Sequence, residues 1–143
     1  MSDIRLSKRH TYIGLVLHQS KGKAMIFSIL IYGNEAITEC LPEAEHEAML
    51  DKHRALQQQM TEQDRLAGTV RLMHSSTAVT ITGEEPGIVT DGPYAESKEQ
   101  FVGFYLLECP DLDSAIAAAR QLPLNYHKME VRAAQWCGGK FAE

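Results

Sequence analysis

Apolar and polar positions recur along this chain with periods that separate strands from helices. Residues 24–32, AMIFSILIY, are nearly all apolar, the pattern of a strand buried on both faces, and Gly33-Asn34 ends it. Pro42 suits a first helical position, and Glu43, Glu45 and Glu47 place negative charge where a helix N-terminus favours it. Met49, His53, Leu56 and Met60 are spaced four, three and four residues apart, so they line one face of that helix. Lys52, Gln57, Gln58 and Gln59 between them are solvent-facing types. The helix is expected to end near Asp64, with Gly68 just beyond.

Short strands follow over Thr69–Met73 and Thr77–Thr82, then a Gly83–Gly87 turn region, then Ile88–Thr90 and Phe101–Cys109. Asp111 is a good N-cap for a second helix, whose apolar positions Leu112, Ala115, Ile116, Ala119 and Leu122 keep the helical period. Pro123 stops it. Met129, Val131 and Ala133 alternate with Glu130 and Arg132, so the last strand is half-buried. Strand, helix, strands with an inserted hairpin, strand, helix, strand is an α+β order. It predicts a ferredoxin-like antiparallel sheet with two helices on one face and an inserted β-hairpin. The other sheet face then needs a cover, since its apolar residues cannot all meet water.

No fixed-period repeat, low-complexity run or dividing linker is present, so the expected organisation is one domain over residues 25–137. Residues 138–143 read as a loose tail. Residues 1–24 read as an appendage: an upstream start, a disordered arm, or an added strand over Thr11–His18 interrupted at Gly14.

A formal charge of −5 disfavours a nucleic-acid binder working by phosphate neutralisation, and equally an anionic membrane surface. No apolar run of about 18 residues exists to span a membrane. Arg5, Lys8 and Arg9 precede only the six-residue apolar stretch Tyr12–Leu17, too short for a secretory signal core. Cys40, Cys109 and Cys137 are odd in number and widely spaced, which reads as reduced thiols in a cytoplasmic protein. His46 and His53 lie seven residues apart on one helix, too far to share an ion easily, so no metal site is expected. Phosphate-binding glycine loops and serine nucleophile elbows are absent as well, and no cofactor is implied.

The densest polar chemistry runs from Asp91 to Glu99, directly before the most strand-like segment. Asp91-Gly92-Pro93 predicts a stiff corner in which the Asp91 carboxylate accepts backbone N–H groups. The run Asp91-Gly92-Pro93-Tyr94-Ala95-Glu96-Ser97-Lys98-Glu99-Gln100, followed by Gly103-Phe104-Tyr105-Leu106, resembles the signature of the DGPF branch of YCII-related proteins. Leu30-Ile31-Tyr32-Gly33 and Glu130-Val131-Arg132 add to the resemblance, which covers roughly residues 25–135. Tyr94 stands where the family usually has Phe, and Ala133 where it often has Pro. The resemblance implies a dimeric α+β barrel, in which two sheets pack face to face, and hence a homodimer. It also implies an acid/base histidine on the first helix paired with an acidic residue at the end of the first strand.

Here the helix offers His53, and the strand end offers Asn34 in the acidic position with Glu35 next to it. Asn34 can orient an imidazole but cannot stabilise an imidazolium as a carboxylate does. The plainer alternative for His53 is a hydrogen-bonded core histidine. Asp91 can act as a general base with Lys98 holding an anionic group, or simply shape the turn. Tyr32, Tyr94 and Tyr105 can line a pocket for a flat ring, or serve as core and dimer contacts. Arg132, with Glu130 on the same strand face, can wall a pocket or be a polar outer surface. The function expected is that of a cofactor-independent enzyme doing acid/base chemistry on a small oxygenated molecule. His53, Asp91 and Glu35 would be catalytic, and Asn34, Tyr32, Tyr94, Lys98 and Arg132 would bind the ligand. The alternative is a non-enzymatic ligand-binding or regulatory protein, whose partner the resemblance suggests is an extracytoplasmic-function sigma factor.

Overall fold

A computed structural model of the chain describes residues 25–139; the expected appendage over 1–24 and the end of the tail lie outside them. Its elements are β1 (Met25–Gly33), α1 (Glu35–Glu39), α2 (Glu43–Glu62), β2 (Leu66–Arg71), β3 (Val79–Thr82), β4 (Ile88–Asp91), β5 (Gln100–Cys109), α3 (Leu112–Ala119) and β6 (His127–Ala133). β2, β5, β1 and β6 form one antiparallel sheet in that order, and β3 pairs with β4 in a separate hairpin. This is the ferredoxin-like arrangement, with the hairpin inserted between its second and third strands.

Both long helices cover the same sheet face. Phe27, Ile29 and Ile31 of β1 and Tyr105, Leu107 and Cys109 of β5 point toward them and meet Leu56, Met60, Ala115, Ala118, Ala119 and Leu122 in one buried core. The β1 side chains alternate between buried and half-buried, so this strand is not buried on both faces as its apolar run suggested. The reason is the layering: α2 and α3 both pack on one face, and the side chains of the second face stay only part-buried. There Tyr32, Phe101 and Phe104 pack as an aromatic row, with ring centroids 5.5 Å and 6.3 Å apart.

α2 stops two residues earlier than its pattern implied. Asp64 takes φ 56, and Arg65 N–H reaches the Met60 carbonyl at 2.8 Å while Asp64 N–H reaches that of Thr61 at 3.0 Å. Together these form a Schellman termination with Asp in the glycine position. Gly68, expected just past the helix, instead sits inside β2 at a register irregularity. α1 was not anticipated. Asn34 creates it, its backbone extended and its Oδ1 accepting the Ile37 N–H at 3.3 Å. Asp111 caps α3 as expected, accepting the Ser114 N–H at 2.8 Å.

Candidate active site

A cavity of about 490 Å³ opens between α1, α2 and the helix-facing ends of β1, β2 and β5, within the range that takes small ligands. His53 stands in its wall. The helical stripe that buries Met49, Leu56 and Met60 carries His53 inward with them, but only to a half-buried position. Its ring stacks on that of Tyr105, with centroids 5.9 Å apart and planes 10° from parallel.

His53 Nδ1 lies 2.8 Å from the Tyr105 hydroxyl, and Gln57, one turn along α2, donates its amide N–H to the same oxygen at 3.1 Å. The contact engages Nδ1 in either neutral tautomer, as donor to the phenol oxygen or as acceptor of its proton, and fixes the ring's orientation. Nε2 has no protein partner among the described residues, and it is not one of their buried unpaired atoms, so it is open to the cavity. Burial, foremost, together with the nearby His127 and Arg71, pushes the His53 pKa down to about 4. At neutral pH the ring is therefore uncharged.

His127 is the second imidazole of this wall. It opens β6 directly opposite Gly33 of β1, and its ring meets that of His53 edge-on at 6.4 Å. Gly33 is required there: a Cβ would sit 2.4 Å from His127 Cδ2. His127 is 8% exposed, and its Nδ1 is buried with no well-directed hydrogen bond. Burial lowers its pKa, opposed by the Pro123 carbonyl, while Arg71 lowers it further. The Pro123 carbonyl lies near the ring without meeting hydrogen-bond geometry at Nδ1, which stays unpaired.

Glu35 also lines the cavity, but it is committed elsewhere. Its carboxylate accepts the Ser75 N–H at 2.9 Å and the Ser75 hydroxyl. His74 Nε2 lies 3.8 Å from it and 3.1 Å from Glu39. Glu35 thus ties α1 to the segment after β2 and closes one end of the cavity. It does not orient His53; Tyr105 does. Asn34 spends its side chain on the α1 cap.

The other expected site residues lie outside this cavity. Asp91 ends β4 on the exposed hairpin, and its carboxylate makes no hydrogen bond or ion pair among the described residues. The expected turn through that carboxylate is absent. The corner is instead held by Gly92, at φ 102, whose N–H reaches the Ala78 carbonyl at 2.7 Å and whose carbonyl accepts the Thr80 hydroxyl at 2.8 Å. Lys98 borders a shallow groove in the same loop, and Tyr94 is 86% exposed. Tyr32 belongs to the uncovered sheet face, as does Arg132, which pairs with Glu130. Within the motif, Gln100 does connect to the site. Its Oε1 accepts the Glu35 N–H at 3.0 Å and its amide donates to Ser97 O at 2.7 Å, fastening the loop to the start of α1.

Tyr105 was weighed from its sequence, but as a ring wall rather than the partner of His53. Arg71 and His127 were not singled out, and Gln57, expected to face solvent, instead turns its amide into the cavity wall toward Tyr105. For Arg71 and His127 the signal is strand parity: with Thr69 and Tyr105 they fall on the helix-facing side once the register is known. No group of three or more potential ligands for a metal occurs among the described residues. No helix among them is long and apolar enough to cross a membrane.

The profile of the YCII-related domain matches residues 25–133, which span the whole sheet and every residue of this cavity. The chain belongs to the YCII-related family. An uncharacterized protein of Rhizobium meliloti (strain 1021) is 38% identical over 101 residues, covering 68% of this chain and 80% of the relative. In this YCII-related protein the matched region begins at the first residue of β1 and ends at the last residue of β6. The matched unit is thus the ferredoxin-like sheet with its helices.

Proposed function

We propose that this YCII-related protein is a cofactor-independent enzyme that moves a proton on a small oxygenated molecule, with His53 as its acid/base residue. The observation that carries this reading is an uncharged imidazole, fixed at Nδ1 by the Tyr105 hydroxyl, with Nε2 free on a ligand-sized cavity. With Nδ1–H donated to the Tyr105 oxygen, the neutral ring presents the Nε2 lone pair to the cavity, takes a proton from the substrate there and returns it to a second position of the same molecule. Tyr105 is the positioning residue and Gln57 supports it. Glu35 serves as the cavity's end wall. Asp91 and Lys98 belong to the hairpin loop and have no assigned step in this site.

The uncovered sheet face supports a homodimer in this reading. Tyr32, Phe101 and Phe104 form an apolar surface that a second copy would shield by packing sheet against sheet. The test of the enzymatic reading is a screen of small carbonyl compounds for proton exchange in deuterated buffer. His53→Gln and Tyr105→Phe should each lower exchange by at least tenfold while leaving the oligomeric state and far-UV spectrum unchanged. Equal exchange in wild type and both variants would remove His53 from the mechanism.

A second reading is a non-enzymatic regulatory protein with a sigma factor as partner. The hairpin favours it: Val79, Ile81 and Val89 are each at least 60% exposed on one face of β3–β4. Immobilised protein should then retain an extracytoplasmic-function sigma factor, and Ile81→Glu should release it. No retention at low salt counts against this reading.

A further inference from the structure

Arg71 ends β2 on the helix-facing side, opposite Gly103 of β5, and lines the same cavity as His53 and His127. The charges around it are unequally answered. Glu35 is satisfied by Ser75, and Glu39 by His74. Arg54, the other guanidinium in the wall, is held by Glu47 at 3.0 Å and Asp51 at 2.8 Å. Among the described residues Arg71 has no ion pair and no side-chain hydrogen bond, so its guanidinium donors are free on the cavity, whose Glu35 and Glu39 carboxylates are engaged by Ser75 and His74 instead. Arg71 shares this cavity wall with His53 and His127, and its charge lowers the pKa of both imidazoles.

We propose that the cavity takes a small carboxylate-bearing molecule whose anionic group is held by Arg71 beside His53. This rests on the reading of the cavity as the functional site. A guanidinium presents paired N–H donors in a planar fork that matches the two oxygens of a carboxylate, which an ammonium does not. The rest of the wall suits a compact apolar body, with Met49, Leu50 and Val102 around the polar groups. Arg71 is solvent-accessible, so a ligand can reach it without unfolding the wall.

The experiment is a ¹H–¹⁵N titration of the full chain at low ionic strength with sodium benzoate and, separately, with its uncharged isostere benzamide. Wild type, Arg71→Gln, Arg71→Lys and His53→Gln are compared. Benzoate is expected to shift amides of α2, β2 and β5 around the cavity. Its affinity should fall at least about tenfold in Arg71→Gln, with partial recovery in Arg71→Lys, and benzamide should bind wild type at least about tenfold more weakly than benzoate. Equal binding of the two probes, or full benzoate affinity in Arg71→Gln, overturns the proposal. If both probes bind equally at the cavity and lose affinity in His53→Gln, the site stands and only its preference for a carboxylate falls. If neither probe perturbs cavity residues, the site and its ligand class fall together.

Discussion

Acidification should weaken this fold through His53, and the size of the effect follows from where the ring sits. In the folded chain, burial makes protonation of His53 unfavourable and holds its pKa at about 4, whereas the unfolded ring titrates near 6.5. Between those values the unfolded chain binds more protons than the folded one, so stability rises with pH through that window and is flat above it. For a fully desolvated ring, a drop from 6.5 to about 4 would correspond to ~3.4 kcal/mol. His53 is only part-buried, and screening by water at the cavity reduces the expectation to about 1–2 kcal/mol between pH 7 and pH 4.5. His127 adds a loss of the same sign, since its pKa is lowered too. Wild type must therefore be compared with His53→Gln, which keeps an amide able to reach the Tyr105 hydroxyl but cannot titrate. Urea unfolding at half-unit pH steps should show a shallower acid loss in the variant, by about 1–2 kcal/mol. Parallel curves for the two proteins, or an NMR titration of His53 centred near 6.5, would refute the assignment of a desolvated neutral ring.

Gly33→Ala places a Cβ 2.4 Å from the His127 ring and should destabilise by about 1–3 kcal/mol in urea, with displaced His127 and His53 ring resonances. Leu56→Ala removes a fully buried side chain between α2 and the sheet and should cost about 2–5 kcal/mol; a loss below 1 kcal/mol would contradict the packing described. Asp91→Ala should change stability by no more than about 0.5 kcal/mol, because its carboxylate has no partner among the described residues. A larger loss would show that the corner depends on that carboxylate after all.

Most of the fold was legible in the chain because it rests on local periodicity. The alternation in Met129–Ala133, the four-three-four spacing through His53 and the Asp111 cap each report a local preference, and each element formed there, although α2 ends at Glu62 and α3 at Ala119, short of Leu122 and the Pro123 expected to stop it. The motif residues Asp91–Gln100 were legible as a family mark, and the matched profile agrees, yet most of them lie away from the cavity. What the pattern misjudged were effects of neighbours brought in from a distance. The first strand read as doubly buried because its sequence carries no mark of how many layers cover it. Asp64 ended a helix in a conformation usually reserved for glycine because the bonds to Met60 and Thr61 compensate it. Tertiary structure alone decided the site. The separation of 52 positions from His53 to Tyr105 is closed by the packing of α2 on β5, and the pairing of His127 with Gly33 is set by the β1–β6 register. Side-chain period says which face a residue takes. Only strand register and helix docking say which other residues share that face, and the meeting of His53, Tyr105, Arg71 and His127 depends on both.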